Sequence, residues 1–98
     1  MLQLVASADF DKWIDGLRDG QARARIIARL RRVALGNFGD AKPVGAGISE
    51  LRIPYGPGYR VYFTRRGSVV VVLLCGGDKS TQAKDIAKAR AIAQEWKG

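Results

Sequence analysis

The side chains of this chain best suited to chemistry are cationic. Arginines lie on predicted strands and a lysine follows the last strand: Arg52, Arg60, Arg65, Arg66 and Lys79. Arg52 precedes and Arg60 follows the Pro54–Gly58 turn, each by two residues, so their guanidiniums are expected to meet on one face of a hairpin. Lys79 would lie at the edge of that patch. Such a patch can bind a phosphate bidentately and stabilise the charge that builds on it during transfer.

Several other kinds of site are excluded or disfavoured by composition. The chain has no histidine, which removes the usual proton-transfer group, the usual zinc ligand and any Ser-His-Asp triad. The nine Asp and Glu residues are scattered rather than gathered at ligand spacing, so neither a metal nor a cofactor is expected. The stretch GGDKST lacks the spacing of a phosphate-binding loop.

Length and charge narrow the class of protein. A chain of 98 residues is expected to form one domain over residues 1–98. Its net charge of +8 indicates an anionic partner, either a nucleic acid or an acidic protein. One cysteine, Cys75, lies in the most apolar run, where a buried inert thiol is expected. With neither a signal peptide nor a membrane-spanning run, a cytoplasmic location without membrane contact is predicted.

Residue patterning predicts an α+β domain with the order β-α-α-β-β-β-α. A strand over 2–6 leads to a helix that is capped by Ser7 or Asp9 and ends near Leu17, and a second helix spans about 21–35. A connecting loop is expected over 36–45, an antiparallel meander over 47–79, and a last helix over about 81–97. The sheet should be small and mostly antiparallel, with helices packed on one face.

Several residues have both a structural and a functional interpretation. Arg52 could pair with Glu50 instead of binding a ligand, and the arginines of the second helix could line a phosphate track or only a solvated face. Tyr62 could stack on a base or enter the core. The candidate RNA contacts are Arg25, Arg29, Arg32, Lys42, Tyr62 and Arg65.

At these residues the chain resembles the RelE/HigB superfamily of bacterial toxins, in the HigB-like branch of addiction-module killer proteins. The resemblance covers nearly the whole chain and rests on four segments in order: FDKWIDGLRD, ARIIARLRRVALGNFGDAKPVG, ELRI followed by YGPGYRVYF, and LLCGGDKSTQAKDI. The combination of GNFGD, GPGYRVY and GGDKSTQ is its most specific part.

The resemblance implies a RelE-like fold and a toxin of a type II toxin–antitoxin system that cleaves mRNA without metal, usually on the ribosome. Attack of the RNA 2′-hydroxyl on the adjacent phosphate would leave a 2′,3′-cyclic phosphate. By position in the family motifs, Arg60, Lys79 and Arg52 would be catalytic. Where other members carry a tyrosine, histidine or aspartate, this chain has Gln82 and Asp85, and Asp85 is the candidate general base.

The resemblance also implies partners. The expected ones are mRNA, the ribosome and a cognate antitoxin, helix-turn-helix and HigA-like, with operator DNA bound only through the complex. Two alternatives stay open at this point: a non-catalytic basic module that binds RNA or the ribosome, and a protein-interaction subunit with a degenerate site.

Overall fold

A computed structural model describes residues 1–96 and confirms the predicted α+β class. The strands are β1 (Gln3–Ala6), β2 (Ala41–Gly45), β3 (Ile48–Ile53), β4 (Tyr59–Arg66) and β5 (Val70–Asp78). The helices are α1 (Ala8–Asp15), α2 (Gly20–Ala34) and α3 (Gln82–Glu95), and one 3-10 turn (Lys79–Thr81) leads into α3. No helix within residues 1–96 is long and apolar enough to cross a membrane.

The strands form one mixed sheet in the order β1-β5-β4-β3-β2. Only β1 and β5 pair in parallel among the described strands, and β2 to β5 form antiparallel neighbours. Residues 71–77 of β5 are all buried, because β1 and β4 flank this strand and helices cover both of its faces. The unbroken apolar run therefore marks a strand buried on both faces, as predicted.

Side-chain hydrogen bonds fix where the first two helices begin. The Ser7 hydroxyl accepts a hydrogen bond from the Phe10 amide at 3.0 Å and donates one to the Leu74 carbonyl at 2.5 Å, which ties α1 to β5. Asp19 accepts hydrogen bonds from the amides of Gln21 and Ala22 at the start of α2. Ser7, rather than Asp9, is thus the cap of α1.

Two apolar cores lie on opposite faces of the sheet. On one face α1 and α2 cover residues such as Leu51, Val61 and Val71. On the other face α3 covers Tyr62 and Val72. The expectation that the helices share one face is therefore corrected: the apolar stripe of α3 predicts that this helix packs on the sheet, but a stripe carries no information about the side.

Two segments predicted as irregular are strands. The second half of the predicted loop forms β2, whose place at the sheet edge tolerates Pro43 and whose pairing is interrupted by a bulge between Pro43 and Gly45. Gly76 and Gly77, predicted as a turn, continue β5. They lack side chains where the Trp13 ring and the Asp85 carboxylate approach the strand. The predicted end of α3 at Lys97 lies outside the described residues.

Candidate active site

Strand register brings the two hairpin arginines together. Arg52 of β3 is the direct partner of Arg60 of β4, and direct partners in an antiparallel pair project from the same face. That face is the one that α3 partly covers. Two like charges placed opposite each other destabilise a sheet unless something compensates them. The prediction that the two guanidiniums meet on one face of the hairpin is confirmed. Their mutual repulsion has to be balanced by a nearby negative charge.

Glu50 supplies that counter-charge from one position farther along the same face. Its carboxylate oxygen Oε2 accepts hydrogen bonds from Arg60 Nη1 at 2.6 Å and from Arg52 Nε at 3.1 Å. Oε1 accepts a hydrogen bond from Gln82 Nε2 of α3 at 2.9 Å. The Glu50 side chain is 1% exposed, against 13% for Arg60 and 36% for Arg52. We call these four residues the Glu50 cluster.

Asp85 lies on the same face, above β5. A Cβ atom added to Gly77 would stand 1.8 Å from Asp85 Oδ2, so this carboxylate fills the space that a side chain at position 77 would occupy. Gly77 is the register partner of Arg60, which places the Asp85 carboxylate beside the Glu50 cluster. Its Oδ2 also accepts a hydrogen bond from the Thr81 hydroxyl at 2.5 Å. The sequence-based choice of Asp85 as a site residue is thus compatible with its position.

Two lysines border the cluster. Lys42 is exposed on β2 and is the register partner of Glu50, so it projects from the site face at the sheet edge. Lys79 is exposed in the 3-10 turn after β5, and its Cβ lies 3.6 Å from where a Cβ on Gly58 would stand. A groove of about 210 Å³ runs along this end of the hairpin, between Arg52, Arg60 and Gly58. Lys79 therefore stands beside Gly58, one of the residues that line this groove.

The cluster carries one net positive charge and free hydrogen-bond donors. Within residues 1–96 the Arg60 side chain donates only to Glu50, and its buried Nε has no acceptor. Guanidinium N–H groups held in a partly dry site are suited to binding a phosphate and stabilising added negative charge. Residues 1–96 contain no group of three or more His, Cys, Asp or Glu side chains placed to hold a metal ion. The chemistry that this arrangement offers is electrostatic.

Similarity to known proteins shows which family the chain belongs to. Residues 12–97 match the family described as phage-derived protein Gp49-like (DUF891). The chain belongs to the Gp49-like family. This family is a RelE/HigB-like family of toxins in toxin–antitoxin systems. An uncharacterized protein of Haemophilus influenzae is 52% identical to this chain over 94 residues, which cover 96% of this chain and 95% of that relative.

In this Gp49-like protein Tyr62 is not available to a base. Its side chain is fully buried between the sheet and α3, and its hydroxyl has no hydrogen-bond partner within residues 1–96. Burial and the nearby Glu50 carboxylate raise the pKa of the Tyr62 hydroxyl well above its ordinary value. The prediction of Tyr62 as an RNA contact was wrong, because α3 covers the face that the sequence pattern assigned to solvent.

The side chains of the α2 arginines lie outside the Glu50 cluster, and their roles differ from one arginine to the next. They line a groove of about 390 Å³ between α2 and the segment Ile53–Tyr55. Arg25 is exposed and stacks on the Tyr55 ring, 4.6 Å from its centroid, and Arg32 is exposed. Arg29 instead donates to three backbone carbonyls and is half-buried. Desolvation lowers the pKa of the Arg29 guanidinium, and neighbouring Arg32 lowers it further.

Arg65 is also separated from the cluster. It projects from the opposite face of β4, where its guanidinium lies over the Phe38 ring at 5.2 Å and donates to the Ser68 carbonyl at 3.5 Å. As a candidate RNA contact it belongs to a different surface of the Gp49-like domain from Arg60.

Sequence reasoning named Gln82 only at the position where other members of the resembled family carry a catalytic side chain, and it did not identify Glu50 as a member of the site. The spacing Glu50-x-Arg52 did indicate a pair on one strand face, and that pairing is confirmed. The expectation that the pair would be exposed was wrong, since Glu50 is buried by Arg60 and by the first turn of α3. The position of Gln82 next to Glu50 depends on how α3 docks, which the sequence does not state.

Proposed function

We propose that this Gp49-like protein is a cytoplasmic toxin that cleaves mRNA without a metal ion, in association with the ribosome, and is neutralised by a cognate antitoxin. The observation that supports this most is the Glu50 cluster, two guanidiniums fixed on one partly covered face of the sheet in a member of a RelE/HigB-like toxin family. The charge of +8 supports a polyanionic substrate.

In the proposed reaction the RNA 2′-hydroxyl attacks the adjacent phosphorus. The P–O bond to the next nucleotide's 5′-oxygen breaks and that oxygen takes up a proton from water, leaving a 2′,3′-cyclic phosphate and a 5′-hydroxyl. Arg60 binds the non-bridging phosphate oxygens and stabilises their charge in the transition state, and Arg52 assists it. Lys79, which lies beside the groove-lining residue Gly58, contributes a further positive charge. Holding the 2′-oxygen in line with the leaving oxygen supplies much of the rate.

Proton transfer is assigned to Asp85 in this proposal. Its carboxylate lies beside the register position of Arg60, and the Thr81 hydroxyl that donates to it fixes its orientation. Asp85 would accept the 2′-hydroxyl proton as the nucleophile attacks. Removing that proton transfer typically costs about 10²- to 10⁴-fold in rate, so an Asp85→Asn variant should retain RNA binding while losing most turnover.

Other cations would guide the RNA and the ribosome to the site. Lys42 extends the site face at the edge of β2, and Arg25 and Arg32 present exposed charge along α2. The proposed antitoxin is a helix-turn-helix, HigA-like protein, with operator DNA bound through the complex. Part of the basic surface would serve this interface.

The experiment is a cell-free translation reaction to which the purified chain is added. We expect a reporter mRNA to be cut, with 2′,3′-cyclic phosphate ends. The double variant Arg60→Ala, Lys79→Ala should be inactive, and Arg90→Ala, which removes an exposed charge of α3, is the control that should cut normally. Intact mRNA with the wild-type chain would reject the proposal.

A non-catalytic module that binds RNA or the ribosome is the second candidate. It is favoured by the engagement of Arg60 with Glu50, since the paired carboxylate reduces the positive charge available to stabilise a transition state. Co-sedimentation of the wild-type chain with ribosomes, together with intact mRNA, would identify this function instead.

A further inference from the structure

We propose that Glu50 is a positioning residue for the cleavage centre, which fixes the Arg60 and Arg52 guanidiniums and couples their placement to α3. This inference rests on the proposed function and deepens it. The Glu50 side chain is 1% exposed, so a substrate in the groove would not contact it directly. Its effect on the reaction is exerted through the arginines that contact substrate.

Burial makes the carboxylate an effective anchor. A buried charge is tolerated only when it is paired and hydrogen-bonded, and here both carboxylate oxygens are engaged. Oε2 receives the two guanidiniums at 2.6 and 3.1 Å, and Oε1 receives the Gln82 amide at 2.9 Å. A carboxylate held by these three donors keeps a fixed position and orientation.

The contacts leave the reactive side of Arg60 free. Glu50 engages Nη1, and the guanidinium donates to no other acceptor within residues 1–96. A planar guanidinium held through one nitrogen keeps a defined orientation, and because Nε is buried, the N–H groups left to face a phosphate are those on the two Nη atoms that Glu50 does not engage. Without Glu50, Arg52 and Arg60 would repel each other across the hairpin and swing apart.

Gln82 extends this control to the helix. It is the first residue of α3 and reaches Glu50 across the site face, while Asp85 lies one turn farther along the same helix. The Gln82–Glu50 bond therefore sets the distance between the guanidiniums and the proposed base. A chain with Gln82 changed to Ala keeps both ion pairs of Glu50 and should lose less activity than one without the Glu50 charge.

The test compares Glu50→Gln with wild type in the cell-free reaction, with mRNA concentration varied. Glu50→Gln keeps the shape but removes the charge, so kcat per folded molecule should fall by about 10- to 100-fold from misplacement of the arginines. KM should change by less than about 3-fold, since the cations that attract RNA remain. Asp9→Asn, which breaks only the exposed pair with Lys88, is the control and should change neither.

Side-chain NMR of the arginines supplies a readout of position. In the wild-type chain the Arg60 guanidinium should show hindered rotation about its Nε–Cζ bond, and in Glu50→Gln this rotation should become fast. If Glu50→Gln fails to fold, Glu50→Asp carries the comparison, since it keeps the charge but withdraws the carboxylate from the arginines by one methylene. Unchanged kcat in a folded Glu50 variant overturns the inference while the proposed function stands. An inactive wild-type chain overturns both.

Discussion

Arg29 offers the sharpest test of how the structure divides the arginines of α2 into supporting and exposed groups. Its guanidinium donates to the carbonyl of Arg52 at 2.5 Å, of Phe38 at 3.0 Å and of Asp40 at 3.4 Å. These bonds join α2 to β3 and to the segment that enters β2. We expect Arg29→Ala to lower stability, because all three connections are lost together.

The magnitude follows from the geometry of the three bonds. A hydrogen bond to a charged group contributes about 1.5–3 kcal/mol net. The short bond to Arg52 counts in full, whereas the bond to Asp40 is long and exposed and counts little. We expect a loss of about 2–3 kcal/mol, which for a domain of this size lowers Tm by roughly 10–20 °C. Arg29→Lys should recover only part of it, since an ammonium cannot span the same carbonyls.

Thermal and urea unfolding followed by circular dichroism measure the effect. Arg32→Ala is the matched control: Arg32 lies on the same helix, is exposed and makes no hydrogen bond within residues 1–96, so its stability should stay within about 0.5 kcal/mol of wild type. Equal stability losses in the two variants would refute the division. So would a stable Arg29→Ala chain with weakened RNA binding, which would make Arg29 a contact.

Three further predictions concern Gly77 and Cys75 of β5 and Tyr62 of the neighbouring strand β4. Gly77→Ala places a Cβ 1.8 Å from Asp85 Oδ2, so overpacking should cost about 1–3 kcal/mol and reduce mRNA cleavage. Tyr62→Phe removes a buried hydroxyl without a partner and should be neutral or stabilising by up to about 1 kcal/mol, with normal cleavage. Burial raises the pKa of the Cys75 thiol to about 12, above about 8.5 in the unfolded chain, so this thiol's stabilising contribution falls from about pH 8.5 to 12.

Each of these has a control and a contradictory outcome. Gly20→Ala, where no atom lies within 4 Å of the added Cβ, should leave cleavage intact, and equal effects at Gly20 and Gly77 would contradict the packing argument. Impaired cleavage by a stable Tyr62→Phe chain would return this residue to the site. Cys75→Ala should flatten the alkaline decline by up to about 1.4 kcal/mol per pH unit, and parallel curves would reject the assignment.

The elements that the sequence predicted well are those with an unambiguous pattern. The apolar stripe of the second helix predicts α2 to within one residue at each end, and the unbroken run of β5 identifies the strand with two covered faces. The hairpin turn also sets the register that opposes Arg52 and Arg60. Local chemistry determines each of these features, so one segment of sequence is sufficient to predict them.

The features that the sequence did not predict depend on contacts between segments that are distant in the chain. Strand β2 has the composition of a loop, and only pairing with β3 makes it a strand. Alternation along β4 correctly separates Val61 from Tyr62, but both faces become buried once α3 docks. The burial of Glu50 has the same origin, since it follows from Gln82 arriving from 32 residues away. Sequence patterns give the faces of an element and leave open what covers them.

The charge balance of the Glu50 cluster connects these structural facts to the proposed reaction. Two guanidiniums and one buried carboxylate leave a single net positive charge within the Glu50 cluster, equal in size to the charge of one phosphodiester. An unpaired arginine couple would bind phosphate more tightly in the ground state, which lowers KM without raising kcat. The arginine pair is instead partly neutralised and held rigid in a site of limited exposure. It therefore interacts most strongly with the additional negative charge of the transition state. In the proposed reaction the buried acid would therefore favour turnover over retention of the RNA.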